Sequence, residues 1–144
     1  MRKPPISLDA WGAYQRGLWH LGKFGAEDHA LAQGFFQRAI DLDPNFAGGY
    51  AGLAVAKRRA VQRLGLLERD DVAELARRAV LLDPNDAEAR ARLGFILLGR
   101  GDHDGALAEV ESALAISPNL AGAHASLRSD LAVLRPPEGR ARRN

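Results

Sequence analysis

The sequence has 144 residues, enough for one domain that buries most of its apolar surface without disulfides. Apolar residues make up 47% of the chain and aromatic residues only 6%, and the low aromatic content favours helices over sheet. Cysteine is absent, which excludes a disulfide scaffold, thiolate metal sites and a cysteine nucleophile. The formal net charge is +2, but residues 135–144 alone carry +3, from four arginines against Glu138. The rest of the chain is therefore not basic, and nucleic-acid binding is not expected.

The helical spacing of apolar residues predicts seven helices, at 8–22, 27–42, 46–64, 70–82, 86–99, 103–115 and 120–134. Residues 1–7 are expected to form an N-terminal tail without the apolar stretch of a signal peptide, and residues 135–144 a disordered basic tail. No stretch reaches the length of a membrane span. The sequence therefore predicts a soluble, cytoplasmic chain that does not contact membranes.

Polar residues and glycines mark the predicted helix ends. Glu88 would complete a capping box with an asparagine at position 85, Asp102 is predicted to cap the sixth helix, and Gly65 is predicted to end the third. The residues predicted to cap the third, fifth and seventh helices are asparagines that directly follow a proline: Asn45, Asn85 and Asn119.

One phrase recurs three times, as FFQRAIDLDPNF, LARRAVLLDPND and VESALAISPNL. Its prolines lie 40 and 34 residues apart, at Pro44, Pro84 and Pro118, and five residues before each stands an alanine, at Ala39, Ala79 and Ala113. The first helix of each unit carries a small residue at Gly17, Ala54 or Gly94. A small side chain lets two helices cross closely, so we expect Gly94 to face Ala106.

This ladder of small and large residues resembles the tetratricopeptide repeat family, whose unit is a helix-turn-helix of 34 residues. The third copy has that length, whereas the first two carry insertions of three and six residues. The resemblance implies an all-α fold, a right-handed α-α solenoid of three helix pairs. Its domain would span residues 8–134, with repeats at about 10–46, 47–86 and 87–120 and a C-terminal capping helix at 120–134.

In this family the first helix of each pair lines a concave surface, which implies a partner-binding groove. The positions that would face it, called the inward row below, are Trp11, Tyr14, Leu18, Ala51, Val55, Arg58, Arg59, Glu88, Phe95 and Leu98. Members that read chaperone tails hold a carboxylate with Lys and Asn, at positions that here are Tyr14, Leu18, Ala51, Val55 and Arg92. The clamp is therefore absent, and the row, in which Arg58 and Arg59 are expected to face Glu88, suits an apolar helix or extended segment.

Catalytic and metal-binding patterns are missing from the sequence. The histidines form no ligand pair, and we expect His20 and His124 to lie in helix interfaces. Asp102, His103 and Asp104 lack a nucleophile elbow, and no glycine-rich phosphate loop is present. The cations of the third helix are expected to form a solvated face; they are Lys57, Arg58, Arg59 and Arg63.

These observations predict a protein–protein interaction module without catalytic activity, cofactor or metal, which binds a peptide or helix of a partner protein in its groove. An alternative comes from the lengthened early repeats, which resemble the tetratricopeptide segments of bacterial regulators. In that interpretation the chain is a sensor or scaffold segment of a regulator of the nucleotidyl cyclase or winged-helix type that lacks its effector domain.

Overall fold

A computed structural model describes residues 8–23, 25–63 and 70–120, and within these ranges all regular structure is helical. The helices are α1 (Leu8–Leu21), α2 (Ala26–Leu42), α3 (Ala47–Arg63), α4 (Asp70–Leu82), α5 (Ala87–Gly99) and α6 (His103–Ile116), followed by a short 3-10 helix (Pro118–Leu120). Six predicted helices agree with these bounds to within one residue at each end. The predicted helix at 120–134, Gly65 and both tails lie outside the described residues, except for Leu120.

The chain divides into two compact units, Met1–Pro84 and Asn85–Asn144. The first unit contains α1 to α4, and the second contains α5, α6 and the 3-10 helix. No helix in the described part of the chain combines the length and the hydropathy that a membrane crossing requires.

The recurring phrase has the same backbone geometry in all three copies. The residue before the proline donates its N–H to the carbonyl of the phrase's alanine, and each of these alanines is buried. The donor and acceptor pairs are Asp43 with Ala39, Asp83 with Ala79, and Ser117 with Ala113, at N···O distances of 2.9, 3.0 and 2.9 Å. The phrase thus ends a helix on a buried small residue, and the proline then prevents the helix from continuing.

The first unit is built around the ring of Phe36, which is fully buried. Gly17 of α1 and Gly52 of α3 both face this ring, and a Cβ atom added at Gly17 would lie 2.6 Å from Phe36 Cε1. Leu21 and Leu53 complete the apolar cluster around it. Three helices therefore meet at one aromatic ring, because two of them present only hydrogen at the point of contact.

In the second unit, α5 and α6 cross at Gly94, as predicted. A Cβ atom added there would lie 2.8 Å from Val110 Cγ2 and 3.2 Å from the Ala106 carbonyl oxygen. Beside this crossing, Arg90 Nη1 and Glu109 Oε2 form an ion pair at 3.1 Å, with both side chains largely buried. This ion pair joins the same two helices as the crossing at Gly94.

Leu120 packs against an apolar cluster of the second unit, which consists of Ala87, Ala91 and Ala113. The capping helix predicted at 120–134 lies outside the described residues except for Leu120, and it stays a prediction. Leu120 itself lies in the 3-10 helix.

Two of the predicted N-caps, Asn45 and Asn85, are wrong by one residue. Asp86 caps α5, with its carboxylate accepting the Ala89 N–H at 3.2 Å, and Asn85 lies in the preceding turn. Asn45 likewise lies in a turn, where its N–H donates to Asp43 Oδ1 at 3.1 Å. The reason is that the proline and the asparagine both belong to the turn, so the helix begins one residue later than predicted. Glu88 is therefore not part of a capping box, whereas Asp102 does cap α6 by accepting the Gly105 N–H at 2.9 Å.

Candidate functional site

Three members of the inward row lie along one face of α1. Trp11, Tyr14 and Leu18 are spaced by three and four residues, which brings them to the same side of a helix. Trp11 is 45% exposed and Leu18 38% exposed, whereas Tyr14 between them is half-buried. Large apolar groups are thus presented on a helix face that is anchored at its middle.

The anchor is an aromatic cluster that joins α1 to the start of α3. The rings of Tyr14 and Phe46 meet edge to face, with centroids 5.1 Å apart, and Tyr14 also lies 6.0 Å from Phe36. Trp11 completes the cluster at 5.6 Å from Tyr14 and 6.2 Å from Phe46. Such pairs contribute about 0.5–1.5 kcal/mol each beyond the burial of their area, so the cluster fixes the position of Trp11.

Phe46 is a residue of this site that the sequence analysis missed. It is buried, and it directly precedes α3. Its position after the DPN phrase was interpreted only as the beginning of a helix. Its aromatic residue type could have indicated packing, because the corresponding position in the second copy is the polar residue Asp86, which caps its helix instead.

The α3 members of the row lie close to the same core. Ala51 and Val55 are half-buried, and Val55 packs against the cluster around Phe36. Arg58 is half-buried, while Arg59 is exposed and its guanidinium donates to the Leu21 carbonyl oxygen at 3.0 Å. This hydrogen bond places a cation at the C-terminal end of α1, where the helix dipole favours positive charge.

Two of the four cations on the expected solvated face of α3 also contact a neighbouring helix, which was not predicted. Arg59 is bound to the end of α1, and Lys57 Nζ lies 3.6 Å from Asp71 Oδ2 of α4. Arg63 is exposed, as expected. The cations were predicted to lie in solvent because the sequence does not show which neighbouring helix ends offer them an acceptor.

The remaining members of the row lie on α5, in the second unit. Phe95 and Leu98 are half-buried, and Glu88 is exposed. Glu88 Oε2 forms an ion pair with Arg92 Nη2 at 3.3 Å, and Arg92 lies one turn along the same helix. The structure thus brings together Trp11, Tyr14 and the α3 residues within the first unit and places the α5 residues on one helix of the second. That all of them line one concave groove stays a prediction.

His20 lies in a helix interface, as predicted. Its ring stacks on Phe35 of α2 with centroids 5.4 Å apart, and its Nδ1 lies 2.9 Å from Asp28 Oδ1. His29 is also buried. Within the described ranges no three histidine, aspartate or glutamate side chains are grouped so that they could hold a metal ion.

Comparisons with known proteins place these features in a recognised fold. No family model matches the sequence, and no curated protein matches it. Among solved structures, the first tetratricopeptide domain of Spaghetti (RPAP3) bound to an HSP90 peptide matches with 20% identity and a TM-score of 0.72, over 89% of this chain and 94% of that one. The TPR2B domain of yeast Sti1 in a complex with an Hsp70 peptide matches with 20% identity and a TM-score of 0.73, over 90% and 100%.

The tetratricopeptide domain of Arabidopsis OM64 matches with 19% identity and a TM-score of 0.64, over 77% of this chain and 84% of that one. Helix hairpins that recur along the chain define an all-α helical-repeat protein, and the fold class predicted from the sequence, a helical-repeat solenoid, is confirmed. These three solved structures are tetratricopeptide domains, so the resemblance inferred from the sequence is confirmed at the level of the fold.

Proposed function

We propose that this chain is a non-catalytic protein interaction module that binds a peptide or helix of a partner protein through the inward row. The observation that supports this most is the combination of exposure and order on α1. Trp11 and Leu18 expose much of their apolar surface, while Tyr14 between them is held by Phe36 and Phe46. Aromatic groups fixed in this way are typical of the few residues that dominate the free energy of binding in protein interfaces.

The chemistry of the row favours an apolar segment over an acidic one. The resemblance implies that readers of a C-terminal carboxylate use Lys and Asn, and the corresponding positions on α1 and α3 here carry aromatic and aliphatic side chains. Arg59, the exposed cation beside them, already donates to the Leu21 carbonyl oxygen. The solved RPAP3 and Sti1 domains carry HSP90 and Hsp70 peptides, which supports peptide binding as a use of this fold but does not extend those peptides to this chain.

The expected affinity follows from the exposed surface. Covering the exposed parts of Trp11 and Leu18 would remove on the order of 150 Å² of apolar area from water, and at about 25 cal/mol per Å² this contributes roughly 4 kcal/mol. The partner's own apolar side chains contribute a similar amount. Because association costs at least about 4 kcal/mol of entropy, these contacts alone give a Kd of about 1 mM, and a Kd of about micromolar strength requires that the partner also cover other apolar residues of the row.

The test compares capture of partner proteins by the parent chain and by two leucine variants. Leu18→Asp places a charge within the row, at an exposed position where folding should be preserved. Leu81→Asp is the matched control, because Leu81 is 73% exposed on α4 and is not a member of the row. We expect proteins captured from an extract of the source cells by the parent and by Leu81→Asp to be lost with Leu18→Asp, as quantified by mass spectrometry.

A peptide from the captured protein is then titrated against the three chains by fluorescence anisotropy. The proposal predicts that Leu18→Asp and Trp11→Ala each weaken binding at least tenfold while circular dichroism at 222 nm is unchanged. Val55→Asp and Phe95→Asp are further variants expected to abolish capture, provided that they keep the parent's helical signal. Equal capture by folded Leu18→Asp and Leu81→Asp chains would show that the inward row is not the binding surface.

A further inference from the structure

A second surface of the first unit lies on the hairpin of α1 and α2, and it is called the edge face below. It is defined by Leu8, Arg16 and Trp19 on α1 and by Leu31, Phe35 and Arg38 on α2. Leu8 is 86% exposed and Trp19 60% exposed. Arg16 follows Trp11 by five residues, which is about 140° around the helix axis, so this face and the inward row leave α1 in different directions.

A cavity of about 280 Å³ opens at one end of the edge face. Its lining combines apolar side chains with two arginines from different helices and one aspartate. The residues are Leu8, Asp9, Gly12, Ala13 and Arg16 of α1, with Phe35 and Arg38 of α2. Gly12 has no atom within 4 Å of the place that a Cβ would occupy, so the cavity wall there is open.

The cavity lining carries a net charge of +1, because two arginines stand against one carboxylate, Asp9. Asp9 lies in the first turn of α1, where the helix dipole already stabilises a carboxylate. Among the ion pairs in the described part of the chain, none involves Arg16 or Arg38. Guanidinium groups bind carboxylates with paired hydrogen bonds, so two of them beside the ring of Phe35 suit an acidic side chain on an apolar stem.

The other end of the edge face is held in place by contacts across the hairpin. The ring of Phe35 stacks on His20, and His20 in turn meets the edge of Trp19 with centroids 4.8 Å apart. Lys23 Nζ lies 3.8 Å from the centroid of the Trp19 ring. The exposed indole is therefore part of an ordered surface, and binding to it requires little further loss of side-chain entropy.

We infer that the edge face binds an acidic amphipathic helix of a partner protein, with a carboxylate of that helix between Arg16 and Arg38 and its apolar side chains over Leu8, Trp19 and Leu31. Leu31 and Phe35 lie one turn apart, which gives the face the spacing of helix-on-helix packing. The chain already shows this arrangement, because α3 contacts both α1 and α2 of the same hairpin.

The charge of the chain's own ends argues against an intramolecular occupant. Residues 1–7 carry Arg2 and Lys3 and no carboxylate, and residues 135–144 carry four arginines against Glu138. Both segments would bring further positive charge to a cavity that already contains two arginines. An acidic segment from another protein complements the cavity.

The experiment selects binders from a phage-displayed library of random 16-residue peptides on the immobilised full chain. We expect enrichment of peptides in which Asp or Glu stands three or four residues from Leu or Phe. The Kd of synthetic versions of these peptides, measured by fluorescence anisotropy, should rise at least tenfold with Arg16→Glu and with Arg38→Glu. The matched control is Arg63→Glu, which makes the same charge change on an exposed residue of α3 and should leave Kd unchanged.

Three results would overturn the inference. The first is a selection that gives no acidic enrichment or no binder, and the second is a peptide that binds Arg16→Glu and the parent equally well. The third is a parent chain that sediments as a dimer and becomes monomeric with Arg16→Glu, which would make a second copy the occupant. Leu18→Asp keeps this test separate from the proposed function, because it should not change the affinity of these peptides.

Discussion

Replacement of Gly94 by alanine tests the packing of α5 on α6. The new methyl group would lie 2.8 Å from Val110 Cγ2, which is fully buried, and 3.2 Å from a backbone carbonyl oxygen. Overpacking of this kind costs about 1–3 kcal/mol, while the higher helix propensity of alanine returns about 1 kcal/mol. The free energy of unfolding should therefore fall by roughly 1 kcal/mol.

Gly34→Ala is the matched control, since Gly34 lies inside α2 with nothing within 4 Å of its added Cβ. It should stabilise the first unit by about 1 kcal/mol, because only the propensity gain applies. Urea unfolding is followed by circular dichroism at 222 nm rather than by fluorescence, because both tryptophans lie in α1.

A double-variant cycle separates packing from propensity. In a Val110→Ala background the 2.8 Å contact is removed, so Gly94→Ala should cost less there than in the parent. If Gly94→Ala stabilised the parent as much as Gly34→Ala does, the close crossing of α5 and α6 would be refuted.

Two further predictions concern helix ends. Asp86→Ala and Asp102→Ala should each lower the free energy of unfolding by about 1 kcal/mol, because each removes a side-chain acceptor from the first turn of a helix. Asn85→Ala should change the free energy of unfolding little. Urea unfolding of the three variants distinguishes the observed cap of α5 from the predicted one. Deletion of residues 136–144 should leave Tm unchanged. Deletion of residues 120–144 removes Leu120 from the cluster of Ala87, Ala91 and Ala113, so it should lower Tm or cause aggregation. Thermal melts and size-exclusion chromatography measure these effects. A longer deletion that is equally stable and monomeric would contradict the predicted capping helix.

The helices and the repeat were predictable because they depend on local spacing. An alanine five residues before each proline is enough to identify three helix ends, and the three hydrogen bonds to Ala39, Ala79 and Ala113 confirm them. The close crossing at Gly94 was predictable for the same reason, since only a small residue permits it. Sequence periodicity reports which face of a helix is buried, and these features require nothing else.

The rest depends on distances between helices that the sequence does not specify. The cap of α5 was misplaced because the turn after Pro84 includes Asn85. The hydrogen bond of Arg59 was not predicted because its acceptor, the Leu21 carbonyl oxygen, lies 38 residues earlier in the chain. The cavity beside Arg16 and Arg38 was not predicted, since it exists only where the separation of α1 and α2 and the ring of Phe35 leave it open.

The position of Phe36 has a consequence for how partner preference can change. Its ring separates α1 from α3 where both helices carry glycine, so its size sets the distance between the two helices that bear Trp11 and Val55. A smaller side chain at this buried position would let the helices move together, and a glycine replaced by alanine would push them apart. Selectivity can therefore drift through substitutions behind the recognition surface, and two chains with identical contact residues need not prefer the same partner.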